Sequence, residues 1–323
     1  MRTREIGRTG VRVTELGFGA APIGNLYREV DHDTAMAAVG TAWCGGVRYF
    51  DTAPHYGLGL SETRLGQALR DRPRDSFALS TKVGRLLVDN DAPSGSDLGA
   101  GGFAVPDTLR RERDYSRDGV RRSLESSLRR LDTSRIDIVY VHDPEDFMDV
   151  AVSQAVPALL ELKDQGVVGA VGVGMNLVAP LRRFVAETPI DVVMVAGRWT
   201  LADRTAEPLL DDCLAKGVAL VSAAPFNSGL LASAQPAAGV YFDYGPAPAE
   251  MLTAARRLAE TAARYGVSLP HAALQFPLTH PAVVSVVAGL GTAEHARTAT
   301  EWATTSVAED LWPDADTTVG LRR

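Results

Sequence analysis

An α/β barrel of eight parallel strands is the fold class this sequence predicts, on three observations. Short apolar runs recur through the chain, stretches with helical periodicity alternate with them, and the runs are too continuously apolar to have a wet face. The runs are Leu16 to Gly19, Val47 to Phe50, Phe77 to Thr81, Ile136 to Val141, Val168 to Val173, Val192 to Val195, Val218 to Ala223 and Val283 to Ala288. Strands buried on both faces belong to a parallel sheet covered by helices, and eight such units close most economically into a (β/α)8 TIM barrel. An open doubly wound sheet is the alternative. Helical spacing is clearest over Asp33 to Cys44, Glu62 to Leu69, Gly119 to Leu131, Ser153 to Gln165, Glu207 to Ala215 and Ala249 to Tyr265. No Ser/Pro/Gly-rich linker divides the 323 residues, so one domain over 1–323 is expected.

Ahead of the first core strand, apolar residues flank Arg8-Thr9-Gly10, which reads as a β-hairpin able to plug the barrel floor. Two connections are long. The span from Gly84 to Asp118, rich in Gly, Asp, Pro and Arg, follows the third strand, and Asn227 to Pro248 follows the seventh. Both fall on the C-terminal face, where barrels build active sites. The first reads either as a lid over substrate or as a disordered surface insert.

Composition narrows the function classes. A formal charge of −7, from 33 Lys+Arg against 40 Asp+Glu, works against binding nucleic acid or anionic membrane. No window approaches the roughly 18 apolar residues of a membrane span, and the first residues form no apolar signal, so the cytoplasm is the expected compartment. Cys44 and Cys213, in separate predicted helices, read as buried reduced thiols. The glycines at 17, 19 and 24 miss the Rossmann spacing, and the scattered histidines form no metal-ligand motif.

Four side chains fall at or just beyond successive strand ends: Asp51, Tyr56, Lys82 and His142. A barrel gathers such positions around one mouth. A lysine beside a tyrosine hydroxyl stabilises the phenolate, an aspartate keeps that lysine charged, and a histidine can hydrogen-bond a substrate oxygen. Singly, each has a plainer role: Asp51 as a helix cap, Lys82 as a surface charge, His142 as a core histidine. Their joint occurrence points to proton transfer through Tyr56.

The run GVRYFDTAPHYGLGLSE, together with STKVG around Lys82 and LDTSRIDIVYVHDPE around His142, resembles the aldo-keto reductase superfamily over nearly the whole chain. The resemblance implies a metal-free oxidoreductase with Asp51, Tyr56, Lys82 and His142 as its tetrad and a nicotinamide cofactor across the mouth. It places Asn176 at the nicotinamide carboxamide, with Met175 in place of the usual Ser and Ala196 in place of the usual Gln. It also places Trp199 against the nicotinamide ring, and Pro225, Phe226, Asn227, Gly229 and Leu230 around the pyrophosphate. Near the adenine end stand Gly289, Gly291, His295 and Ala299, where members that prefer NADP carry a cation at the position of Gly291. NAD is therefore the expected cofactor, with NADP as the alternative and Arg297, one helical turn on, as the residue able to reverse the preference.

Within the superfamily, RDYSRDGVRRSLESSLRRLDTSRIDIVYVHDPE and VMVAGRWTLAD look closest to bacterial enzymes that oxidise cyclic hemiacetals to lactones. These are aldose 1-dehydrogenases of the L-fucose or D-threo-aldose type and pyridoxal 4-dehydrogenases. The small-molecule substrate is expected to meet Asn25, Tyr27, His55 and Phe103. Two further readings stay open: an NADPH-dependent general carbonyl reductase, and a nicotinamide-binding regulatory subunit. The sequence does not indicate the oligomeric state.

Overall fold

A computed structural model describes residues 1–243 and 245–318. The chain opens with β1 (Thr3–Glu5) and β2 (Arg12–Thr14), an antiparallel pair. The barrel strands follow as β3 (Leu16–Gly19), β4 (Tyr49–Asp51) and β5 (Ala78–Val83). After β6 (Arg85–Asp89) and β7 (Leu109–Arg113) come β8 (Ile136–His142), β9 (Val168–Met175), β10 (Val192–Ala196) and β11 (Ala219–Ala223). Two-residue strands β12 (Tyr241–Phe242) and β13 (Gly245–Pro246) precede the last barrel strand, β14 (Val283–Gly289). β3, β4, β5, β8, β9, β10, β11 and β14 close in that order into an all-parallel barrel.

The helices are α1 (His32–Cys44), α2 (Leu60–Leu69), α3 (Arg117–Leu131), α4 (Met148–Val150), α5 (Val156–Asp164), α6 (Val178–Glu187), α7 (Glu207–Lys216), α8 (Ala249–Arg264), α9 (Leu269–Gln275), α10 (Ala293–Thr304) and α11 (Leu311–Thr318). Local chemistry sets several starts. Asp31 accepts from Thr34 N at α1, Ser116 from Gly119 N at α3 and Thr292 from His295 N at α10, each satisfying an orphan amide. α6, α9 and α11 have no counterpart among the helical stretches read from the sequence. Pro180 interrupts the pattern at α6, and α9 is only seven residues long.

Strand alternation sorts two cores. Tyr49, Ile138, Tyr140, Ala170, Val192, Met194 and Val221 fill the barrel, and Ile6 and Val13 of the hairpin close its floor. Phe50, Val139, Val141, Val193 and Leu220 face the helices instead. Gly17 is required inside, since a Cβ there would stand 2.7 Å from Tyr49 Cδ1.

Two expectations change. Cys213 is buried, but Cys44, the last residue of α1, is exposed. The span from Gly84 to Asp118 is ordered: β6 and β7 pair from Arg85↔Arg113 to Asp89↔Leu109, and the intervening loop folds back over the barrel mouth. Periodicity concealed the ribbon because β7 reads LRRER, with arginines where a buried strand would carry apolar residues.

Candidate active site

Asp51 ends β4 and Lys82 lies in β5, whose strand neighbour β8 ends at His142. The three side chains therefore converge at the C-terminal mouth. Tyr56 comes from the turn after β4, where Tyr56 N bonds Ala53 O and Gly59 N bonds Pro54 O. The structure thus brings all four together. Lys82 Nζ donates to Asp51 Oδ2 at 2.8 Å and to Thr52 O at 2.9 Å, and lies 4.7 Å from the Tyr56 ring centre. Ser80 Oγ donates to Asp51 Oδ1 at 2.7 Å, so both carboxylate oxygens are occupied.

Burial dominates the electrostatics. It raises the Tyr56 phenol above its ordinary value, although the Lys82 charge and hydrogen bonding pull it down. This corrects the simple expectation of a depressed phenol: lysine opposes the shift without reversing it. Lys82 would itself be pushed down by burial, but the Asp51 charge and the contacts with Tyr56 outweigh that, and its ammonium is raised. Burial, with Lys82 and Arg85 behind it, holds His142 well below its usual range. His142 is therefore neutral and retains both a donor and an acceptor nitrogen.

The remaining substrate-side residues divide. His55 packs 5.9 Å from the Tyr56 ring, 5.4 Å from Phe103 and 5.8 Å from His142. Burial and the nearby Arg85 and Arg111 push it down to about 2, and its Nδ1 is buried with no partner. Phe103 lies 6.0 Å from Tyr56 and is 1% exposed, forming a wall of the mouth. Tyr27 is 60% exposed on the rim, and its amide donates to Gly102 O. Asn25 does not face substrate. Its Nδ2 donates to Ala104 O, and its Oδ1 accepts from Val30 N and Arg64 Nη1, so it fastens two loops together.

On the opposite side, Asn176 follows β9, with its carbonyl accepting from Arg198 Nε at 2.9 Å. Asn227 donates from Nδ2 to Gly197 O, while its buried Oδ1 has no partner. The turn around it holds Ala224, Asn227, Ser228 and Gly229 at positive φ, which curls the backbone into a concave bend. Gly289 is exposed, and Gly291 lies against Pro22, where a Cβ would meet Pro22 Cβ at 3.0 Å. His295 is exposed in the first turn of α10. The bend, the glycines and the α10 N-terminus suit an extended dinucleotide, since helix ends and curled backbone favour phosphate.

Several side chains on that side lie in the core. Trp199 is 3% exposed, donates from Nε1 to Pro277 O at 3.2 Å and packs 5.3 Å from Phe276. Its backbone carbonyl accepts from outward-facing Ser222, so the indole sits in the helix layer and not at the mouth. Leu230 and Ala299 are likewise core residues. Pro225 is buried and Phe226 packs against the outer core. Strand register was the missed signal, because inward positions of β11 are Ala219, Val221 and Ala223. No signal in the sequence singles out Arg85 or Arg198, and Arg111 lies in a stretch that reads as ordinary solvated charge.

Residues 15–312 match the Aldo/keto reductase family, and the chain belongs to that family of nicotinamide-dependent oxidoreductases acting on CH–OH groups. It is 43% identical over 309 residues to a D-threo-aldose 1-dehydrogenase from Pseudomonas sp., covering 94% of each chain. A pyridoxal 4-dehydrogenase from Microbacterium luteolum is 38% identical over 328 residues, covering 96% of this chain and 95% of the other. The holo form of an aldo-keto reductase from Bacillus halodurans superposes with a TM-score of 0.80 at 24% identity, over 100% of this chain and 98% of that one. Among the described residues no helix is long and apolar enough to cross a membrane, and no group of three or more His, Cys, Asp or Glu stands placed to hold a metal.

Proposed function

We propose that this enzyme oxidises the hemiacetal carbon of a small cyclic aldose, such as L-fucose or D-arabinose, to the lactone, with NAD as hydride acceptor. The observation that carries the reading is the buried Asp51–Lys82–Tyr56 chain set beside neutral His142. Similarity to the aldose 1-dehydrogenase supports the substrate class. An oxidised nicotinamide held between Asn176, the bend at Asn227 and the start of α10 would supply the hydride acceptor and a positive charge.

In this reading Tyr56, as phenolate, takes the proton of the hemiacetal hydroxyl. His142 donates to that oxygen and fixes its direction, and Lys82 stabilises the phenolate. Asp51 keeps Lys82 charged and in place. The raised phenol means that Tyr56 deprotonates on the alkaline side of neutrality, so oxidation should accelerate as pH rises. Reduction would show the opposite trend.

Preference for NAD is supported at Gly291, where Pro22 crowds the position a cation would need. A second substrate reading rests on the rings of His55 and Tyr56, 5.9 Å apart and both only partly buried, which leave an aromatic substrate faces to pack on. They suit the hemiacetal form of pyridoxal, and the pyridoxal 4-dehydrogenase relative supports the same reading.

The deciding experiment follows reduced-cofactor absorbance at mildly alkaline pH, with NAD or NADP against L-fucose, D-arabinose and pyridoxal. NAD-linked turnover of an aldose supports the proposal. Turnover of pyridoxal alone moves the assignment to the second reading, and NADPH-linked reduction of simple aldehydes with no oxidation overturns both.

A further inference from the structure

Beside the tetrad lies an ion pair that the hydride chemistry leaves unused. Asp143, directly after β8, holds its carboxylate Oδ2 3.5 Å from His142 Nε2 and accepts from Arg85 Nη2 at 2.5 Å. Arg85 is the first residue of β6, so the ribbon over the mouth delivers one partner and a barrel strand the other. Both side chains are largely buried, at 16% and 26% exposed, and Arg85 Nε is enclosed without an acceptor. Asp143 itself sits in the left-handed region, at φ +45. A non-glycine residue there costs on the order of 1 kcal/mol and persists where its surroundings enforce it. The enforcement is visible: Tyr115 Oη lies 2.6 Å from His142 O and 2.8 Å from Asp143 O, and Asp143 N donates to Gly174 O at 3.0 Å.

The spacing constrains what can bind. A substrate oxygen on His142 Nε2 stands about 2.9 Å from it, and a hydroxyl donating to Asp143 Oδ2 stands about 2.7 Å from that oxygen. With nitrogen and carboxylate 3.5 Å apart, two substrate oxygens that approach them side by side from the mouth stand about as far apart as the two groups do. The oxygens of a vicinal diol match that spacing, and hydroxyls farther round a sugar ring do not. Arg85 orients the carboxylate through Nη2 and opposes the upward pull of burial on it.

We propose that the Asp143–Arg85 pair recognises the 2-hydroxyl of the aldose, making a free hydroxyl on the carbon beside the reacting one the feature that defines the substrate class. The inference rests on the aldose reading above and sharpens it. Asp143 binds substrate, and Arg85 is its positioning residue. A site built to hydrogen-bond a hydroxyl rejects the analogue lacking it, because a buried carboxylate is then left with fewer partners.

The test compares kcat/KM for L-fucose and 2-deoxy-L-fucose in the wild-type enzyme, Asp143→Asn and Arg85→Met, with NAD affinity measured alongside as a check on folding. The wild type should favour L-fucose by about 100-fold. Asp143→Asn should reduce that ratio to within about threefold of unity and Arg85→Met part of the way, with NAD affinity retained in both. A wild-type enzyme indifferent to the 2-hydroxyl, or an unchanged ratio in Asp143→Asn, overturns this assignment while leaving the aldose reading intact. Failure of the wild type to oxidise any aldose overturns both.

Discussion

The two long connections on the barrel mouth are built differently. The one after β5 is fastened throughout. Arg111 makes a two-pronged ion pair with Asp97 and reaches His55 O at 2.8 Å, Asn25 and Ala104 clasp through side chain and backbone, and Phe103, Val105 and Leu58 form a small buried cluster. Among the described residues, the one after β11 is anchored at its start by buried Leu230 and Leu231, and further on by Val240 and Phe242 against the core, a two-residue ribbon, the Arg198–Asp243 pair and an Arg256 contact to Pro236, and it leaves Tyr241 53% exposed. The contrast fits a division of labour in which the substrate side is preformed and the cofactor side admits and releases a large ligand. Proton transfer needs atoms held to within a hydrogen bond, whereas dinucleotide exchange needs an opening.

Tyr56→Phe gives the largest expected effect, because it removes the proton acceptor from the preformed side. Turnover should fall by about 10²–10⁴-fold with cofactor affinity retained, as read by steady-state rates and fluorescence titration. Near-normal turnover would remove Tyr56 from its role. Arg111→Met should come next. It strands Asp97, which is 2% exposed, and should lower the unfolding free energy by about 3–5 kcal/mol in urea melts. A loss below about 1 kcal/mol, typical of exposed pairs, would show that the loop is held less firmly than its contacts indicate.

The preformed side should also be acid-sensitive. His55 and His142 are depressed in the folded protein, so on acidification the unfolded chain takes up protons that the folded one refuses. Stability should therefore decline as pH drops below about 6.5, by up to about 1.4 kcal/mol per pH unit for each histidine. Urea melts at pH 7 and pH 5 read this directly, and His55→Leu should flatten the slope. Arg198→Met carries the smallest expected change. Loss of its contacts to Asn176 O, Asp203 and Asp243 should raise the cofactor KM by about three- to tenfold with little effect on kcat, and should lower the melt by less than Arg111→Met does, since Asp203 is 12% exposed. In limited proteolysis, the first cut should fall between residues 232 and 243, slowed by saturating NAD. A first cut in 90–108 would invert the comparison.

The barrel was legible because its strands carry short, mainly apolar runs, broken only by a few polar residues as in β5 and β8, and the convergence of Asp51, Tyr56, Lys82 and His142 because strand ends meet once the barrel closes. What stayed hidden depends on direction. Trp199 was chosen from its place in a motif, but whether a side chain points into the mouth or the helix layer is settled by strand register and by the turn after β10. Arg111 lies in a stretch that reads as solvated charge, since nothing local in sequence tells an exposed arginine from one folded over a mouth. Asn25 had the right polarity for a sugar contact, yet its amide is occupied by backbone and by Arg64.

The hairpin that seals the floor bears on how protons travel. Behind Asp51 runs a line of hydroxyls, from Ser80 to Tyr49 at 3.2 Å and from Tyr49 to Tyr140 at another 3.2 Å. That line ends among Ile6, Val13 and Ile138, all fully buried. It is a blind alley: charge can redistribute along it, but a proton entering it reaches no bulk water. In the proposed oxidation a proton stripped from substrate finds no way out along this line through the floor, and the mouth where substrate meets Tyr56 is the opening the structure offers it.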